Sequence, residues 1–347
     1  MLGFITKIRN KLYDRGIFKS SGFDFPIINV GNLAVGGSGK TPHVEYLIQL
    51  LKDEYKLATL SRGYGRNTRG YREVQMDDRA SQSGDEPLQI KQHFPDIRVF
   101  VNESRVEGVT KLLFDSPDTE VILLDDAFQH RAIKAGLNIL LTEYSRIFTD
   151  DKLMPAGRLR EHPRGAARAD IVVVTKCPLD MEEDEKQEIR QKIAAYTSAP
   201  VFFSGIRYHD YLVPVFDNAG NDSPEHSNIV LISGIARSQG LEDYVKLKFQ
   251  PQEFEHFNFR DHYHFRASDL KRIAEKFYTF APPKIMICTD KDAVRLTEVA
   301  QGSDFAKLPL YRLPIKVQFL GDNKKQFDKK IKDYVRQNKA DNKIHQE

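Results

Sequence analysis

Cysteine is nearly absent: the 347 residues hold two, Cys177 and Cys288. Each sits beside an apolar, strand-like run without a CxxC partner or a nearby histidine pair. Neither a disulfide framework nor a structural zinc site is expected, and a reducing cytosol is favoured. Long apolar runs are missing too. No stretch approaches the ~20 residues that a bilayer-spanning helix requires, and the opening residues lack the apolar core and small-residue cleavage site of a signal peptide. Excess charge of one sign is also lacking. With 52 basic against 49 acidic residues the net charge is +3, too little to suggest a nucleic-acid binder, and no run of like charge resembles a nucleic-acid tail. What remains is 40% hydrophobic, enough for a real core in a chain long enough for roughly two domains.

Against this plain background one segment stands out. Asn29 to Pro42 reads NVGNLAVGGSGKTP, directly after the apolar run that begins at Phe25. A glycine-rich turn between strand and helix aims backbone N–H groups and the helix N-terminus at a polyphosphate, here from Gly36, Gly37, Ser38 and Gly39. Lys40 then reaches the outer phosphates and Thr41 is available to Mg2+. Pro42 suits the first helical turn, where a missing N–H costs nothing. Val44, Leu47, Ile48 and Leu51 follow at helical spacing. A strict P-loop would carry Gly at position 34, and this chain has Ala34.

The first twenty residues form a second unusual segment. Phe4, Ile5, Ile8 and Leu12 share one helical face, while Lys7, Arg9, Lys11, Arg15 and Lys19 face the single acid Asp14. This predicts a basic amphipathic helix. At ~1 kcal/mol per basic residue near an anionic surface, reversible membrane attachment is feasible. The alternative is a helix packed on the domain with its charges in water.

Short apolar runs then alternate with helical patterns, as a mostly parallel sheet requires. Expected strands are Phe25 to Val30, Lys56 to Leu60, Arg98 to Val101, Val121 to Leu124, Leu137 to Leu141 and Ile171 to Thr175. Ligands of such sheets bind beyond the carboxyl ends of strands. There VILLDD delivers Asp125 and Asp126, of which one is expected to hold Mg2+ or its water together with Thr41, with Asp125 the first choice. Loops rich in Gly or Pro contribute Arg62, Arg66, Arg158, Arg160 and Arg164. Their planar guanidinium groups suit phosphate oxygens.

Taken together the chain resembles the tetraacyldisaccharide 4'-kinases of lipid A biosynthesis. The resemblance is carried in order by VGNLAVGGSGKTP, SRGYGR, SGDEP, LLDDAFQH, MPAGRLRE, VVVTKCP, FRDHYHF and TDKDAV. The family also lacks the first P-loop glycine. Departures are modest: Ala127 and Phe128 stand where the family often has Gly followed by Leu or Phe, and Tyr263 interrupts a pair of histidines. The resemblance implies ATP and Mg2+ as cofactors and a tetraacylated glucosamine disaccharide 1-phosphate as acceptor at the cytosolic face of the inner membrane. No nucleic acid or obligatory protein partner is implied, and the chain is expected to be a monomer. It further implies Asp85 as the group that receives the hydroxyl proton, assisted by His262 or its rival His264. An Asp at this place also suits a helix cap. Lys40 and Arg160 are implied as catalytic, and Arg62, Tyr64, Glu86, His130 and Glu161 as substrate contacts.

The expected architecture is therefore α/β. A mostly parallel P-loop kinase-like sheet spans 21–205, after an amphipathic helix at 1–20. A smaller α/β unit is expected over 206–325, with strands at Ile229 to Ile232, Phe254 to Phe257 and Lys284 to Cys288, and a polar helix or tail over 326–347. Tyr208 to Phe216 reads as a linker or ribbon, Asp217 to Ser227 as a loop, and TDKD at Thr289 to Asp292 as a strand-to-helix turn. A P-loop GTPase of the maturation-factor or metal-chaperone type and a soluble sugar kinase are the rival readings, because P-loop sheets host all three functions.

Overall fold

Alternation of apolar runs with helical patterns produces two sheets in the computed structural model, which describes residues 2–216, 227–261 and 263–344. His262 and most of the expected loop from Asp217 to Ser227 lie outside the described residues, as do the last residues of the expected tail.

The larger sheet has nine strands. In spatial order they are Ile315–Phe319, Val201–Tyr208, Ile171–Thr175, Leu137–Glu143, Ile27–Asn32, Val121–Asp125, Leu57–Ser61, Arg98–Val101 and Arg72–Glu73. All are parallel except the two at the edges. The central strands are buried from end to end, as in Ile27–Asn32 and Val121–Asp125. Such near-continuous apolar runs suit a parallel sheet covered on both faces. Ile28, Val30, Val121 and Leu123 face the helices Lys40–Leu51, Asp85–His93 and Asn323–Ile344. Ile27, Ile122 and Leu124 face the helix Arg105–Asp115.

The smaller sheet orders Val213–Pro214, Leu310–Leu313, Lys284–Thr289, Asn228–Ser233 and Phe254–Asn258. Its helices include Gln239–Phe249, Ala267–Thr279 and Asp290–Ala300. This unit is set between two neighbouring strands of the larger sheet, because Ser204 pairs with Phe319 and Tyr208 with Ile315. The chain thus re-enters the first sheet well before the expected boundary at residue 325. Two segments not expected as strands, 201–208 and 315–319, pair antiparallel there, the second forming the edge.

The polar C-terminal segment forms the helix Asn323–Ile344. It buries Phe327, Ile331 and Val335 against the first sheet. Tyr334 reaches the start of the P-loop strand, donating to the carbonyl of Ile27 at 3.0 Å. At about 1.5–3 kcal/mol per buried large apolar side chain, that face anchors the helix despite its charged exterior.

Candidate active site

The site is assembled where the central parallel strands end. Val30 lies in register with Asp125, so the glycine-rich turn and the two aspartates leave adjacent strands side by side. Gly36 and Gly39 have φ of 107° and 83°, values that only glycine adopts without strain. Gly39 caps the helix Lys40–Leu51 without any side-chain cap bond, the arrangement of phosphate-binding helix starts, where the first N–H groups can serve an anion.

Ala34 now has a physical reason. It sits in a short antiparallel bridge with Leu159, flanked by Val35 N–H to the Arg158 carbonyl and Arg160 N–H to the Leu33 carbonyl, both 2.8 Å. A residue in extended backbone needs no glycine, so the variant turn begins only at Gly36. The same bridge brings the MPAGRLRE loop to the phosphate turn.

Other groups brace the turn. Asn32 Nδ2 donates to Ser38 Oγ at 2.8 Å, Thr175 Oγ1 donates to the Ser38 carbonyl at 2.9 Å, and Lys176 Nζ donates to the Gly37 carbonyl at 2.5 Å. Burial pulls the His43 imidazole down to about 4, so it is neutral. Its Nδ1–H donates to the Gly39 carbonyl at 2.7 Å, which leaves Nε2, 3.0 Å from Ser204 Oγ, to accept the hydroxyl proton. Neither Lys176 nor His43 was expected from the sequence, although the TKCP segment contains the first.

The two aspartates have different environments. Asp126 takes the left-handed backbone, φ 50°, and accepts a forked pair of bonds from Arg160 at 2.8 and 3.2 Å. Lys40 lies 3.9 Å away. Against burial, Lys40 and Arg160 hold Asp126 down at about 2. Asp125 is buried and its Oδ1 has no hydrogen-bond partner. Burial first, then the neighbouring Glu86 carboxylate, push it up to about 7, with Lys40 and Arg105 pulling the other way. Arg105, which was not expected from the sequence, is itself buried and donates to the carbonyls of Asn102 at 2.6 Å and Asp125 at 3.3 Å. His130 lies within the field of Arg105, Arg62 and Asp126; burial and the two arginines pull it down to about 4.

The expected acceptor-side residues converge less uniformly. The SRGYGR and SGDEP loops touch backbone to backbone: a Cβ on Gly84 would come within 3.1 Å of Gly63, and both glycines have positive φ. This contact sets exposed Arg62 and Tyr64 beside Asp85 and Glu86. Arg66 is used differently, bracing its own loop through Glu103 and the Gly70 carbonyl, both at 2.7 Å. Arg158 is exposed beside Gly36 and Arg164 points to solvent. Glu161 is engaged elsewhere. It is buried and accepts from Asn10 at 2.9 Å, Gln129 at 3.2 Å and Arg168 at 2.7 Å.

Asp85 is the first residue of the helix Asp85–His93, whose cap position is Gly84, so the capping role open to it in the sequence falls to glycine. Its carboxylate is buried, accepts the Glu86 N–H at 3.0 Å, and is ion-paired with Arg295 of the smaller sheet's helix. TDKD is indeed a strand-to-helix turn, with Thr289 Oγ1 accepting the Asp292 N–H.

The N-terminal helix, Leu2–Asp14, packs on these loops. Arg9 donates to the Gln129 carbonyl at 3.3 Å, and Arg131 binds the Asn10 carbonyl at 2.8 Å and Asp14 at 2.7 Å. Ile8, Ile17 and Phe18 remain exposed. Among the described residues no helix is long and apolar enough to cross a membrane.

A parallel α/β sheet with a phosphate turn, an adjacent strand-end acidic pair and a converging arginine defines a P-loop nucleotide-binding protein. Residues 1–336 match the family model described as tetraacyldisaccharide-1-P 4'-kinase, and the chain belongs to that family, whose members are kinases acting on a hydroxyl group. It is 42% identical to the tetraacyldisaccharide 4'-kinase of Bacteroides thetaiotaomicron, over 97% of this chain and 91% of that one. It is 43% identical to that of Flavobacterium johnsoniae, over 97% and 95%. Among solved structures it is similar to LpxK from Aquifex aeolicus in complex with ATP, with a TM-score of 0.73 at 30% identity over 96% of each chain. Family membership sets aside the GTPase and soluble sugar-kinase readings.

Proposed function

We propose that this chain transfers the γ-phosphate of ATP to the 4'-hydroxyl of a tetraacylated glucosamine disaccharide 1-phosphate, giving the bisphosphorylated lipid A precursor. The observation that carries the reading is the meeting, at the carboxyl ends of the central strands, of the Gly36 to Thr41 turn, the Asp125–Asp126 pair and Arg160, with the Asp85 loop nearby. The backbone of Gly36, Gly37, Ser38 and Gly39 cradles the phosphates, and Lys40 exchanges its contact with Asp126 for the outer phosphates. Arg160 stabilises charge developing on the transferred group.

The donor set fits magnesium. Asp125 presents a buried oxygen without a partner, and among the described residues no three His, Cys, Asp or Glu side chains gather to form a cage. Mg2+ is usually held by one or two carboxylates, water and phosphate oxygens. Thr41 and Asp125, with Asp126 behind, would hold it, and when bound it neutralises charge on the phosphates.

Asp85 receives the proton of the acceptor hydroxyl, with His262 sharing it. Arg62, Tyr64, Glu86 and His130 contact the acceptor, while Glu161 holds the loop that carries Arg160. The chain acts as a monomer attached peripherally to the cytoplasmic face of the inner membrane through its basic N-terminal helix. The Glu161 assignment replaces a direct substrate contact because three donors already engage that carboxylate.

The test is direct. Protein, Mg2+, labelled ATP and the acylated disaccharide phosphate should yield a bisphosphorylated lipid, and firm ATP binding without transfer overturns the reading. Asp85→Asn should lower turnover by about 10²–10⁴-fold, the range of general acid–base catalysis, with nucleotide affinity retained. A purely structural Asp85 predicts near-normal turnover.

A further inference from the structure

We infer that Arg295, backed by Asp292, is a positioning residue for Asp85, so that the orientation of the proton-accepting carboxylate is set by the smaller sheet as well as by its own helix start. The inference rests on the reading of Asp85 as that acceptor. Arg295 and Asp85 are separated by 210 positions, and the side chains are only 7% and 9% exposed. Arg295 pairs with Oδ2, while the Glu86 N–H holds Oδ1 at 3.0 Å. Contacts on both oxygens fix the plane of the carboxylate.

Arg295 is itself held. Its Nη1 lies 3.4 Å from Asp292 Oδ1. Asp292 is fully buried and accepts the Gly234 N–H at 2.9 Å and the Thr289 hydroxyl at 2.6 Å, both on Oδ2. A Cβ on Gly234 would come within 2.9 Å of the same carboxylate, so the loop after Asn228–Ser233 is pressed against it. The chain of contacts therefore runs from the smaller sheet through Asp292 and Arg295 to Asp85. Lys291, one turn earlier, reaches Glu86 at 3.2 Å and Asp85 at 3.9 Å and reinforces the same seating. Misplacing a reacting group by about 1 Å costs on the order of 100-fold in rate.

The experiment is a double-mutant cycle in the full chain, read as kcat and KM for both substrates with folding checked by thermal melting. Arg295→Met should lower kcat about 100-fold with KM for ATP within about 2-fold, as expected when only the reacting geometry is disturbed. Arg295→Lys should restore part of the loss, and Asp292→Asn should lower kcat in the same direction. In an Asp85→Asn background, Arg295→Met should have no further effect. An equal fall in both backgrounds overturns the inference, as does wild-type kcat in Arg295→Met while Asp85→Asn is inactive. If Arg295→Met fails to fold, Arg295→Lys and Asp292→Asn decide: wild-type kcat in both overturns it. Asp85→Asn that keeps wild-type kcat overturns the acceptor reading itself, an outcome independent of Arg295.

Discussion

Asp125 illustrates how a single buried carboxylate sets stability against binding. Its ordinary pKa near 3.8 is pushed up to about 7 by burial and the Glu86 charge. Because the folded value exceeds the unfolded one, its contribution to stability is complete below about pH 4 and is lost as pH rises through about 7. Above that, the nucleotide-free protein carries an ionised, partly unsatisfied carboxylate. Asp125→Asn should therefore stabilise the free protein at pH 8, on the order of 1–3 kcal/mol, with the gain shrinking towards pH 5. The same change should weaken Mg2+–ATP binding. Calorimetric melting across this range, with and without nucleotide, checks both signs, and a gain independent of pH defeats the argument. Sites poised to receive a cation commonly trade stability for function in this way.

At the scale of elements, the N-terminal helix belongs to the site as well as to the surface. Its Arg9, Asn10 and Asp14 contact Gln129, Glu161 and Arg131, and Arg131 also lies over the Tyr13 ring at 5.1 Å. Deleting residues 1–19 should lower turnover at least about 10-fold even on detergent-dispersed lipid, because the loops carrying Arg160 and His130 lose their support. A helix that served only as an anchor would leave turnover on dispersed lipid unchanged and reduce only activity on vesicles. The helix, the glycine-rich turn and the aspartate pair were all readable because their signal is local: periodicity, a strand end, a glycine at a left-handed position. Val201–Tyr208 was hidden because one of its two partners, Ile315–Phe319, lies beyond the whole inserted unit. Lys291 and Arg295 were hidden for a similar reason, since the carboxylates they meet, Asp85 and Glu86, lie more than 200 positions away. An arginine inside a helical pattern reads as a surface charge until a distant sheet turns it towards a carboxylate.

At the scale of the whole molecule, the two sheets meet through polar contacts, and His93 sits at their junction. Its Nδ1 lies 3.0 Å from Glu45 on the first helix after the phosphate turn, and its Nε2 lies 3.4 Å from Asp290 of the smaller unit. Arg312, on the strand Leu310–Leu313, touches Nε2 and also pairs with Asp290 at 3.2 Å. Burial opposes protonation of the imidazole, but Asp290 and Glu45 outweigh it and hold the ring up at about 9. The folded value lies above the ordinary 6.5, so the stabilisation is complete below about pH 6.5 and fades as pH rises through about 9. His93→Gln leaves two carboxylates facing one guanidinium in a largely buried setting, and breaking such a network costs about 1–3 kcal/mol once partial exposure is allowed for. The loss should appear at pH 7 as a lower melting temperature and should narrow towards pH 10, where wild-type His93 has itself lost its charge. Because the contact joins the two units, the variant should also broaden or split the unfolding transition. A loss of equal size at pH 7 and pH 10, with the transition still single, would assign His93 a packing role in place of an electrostatic one.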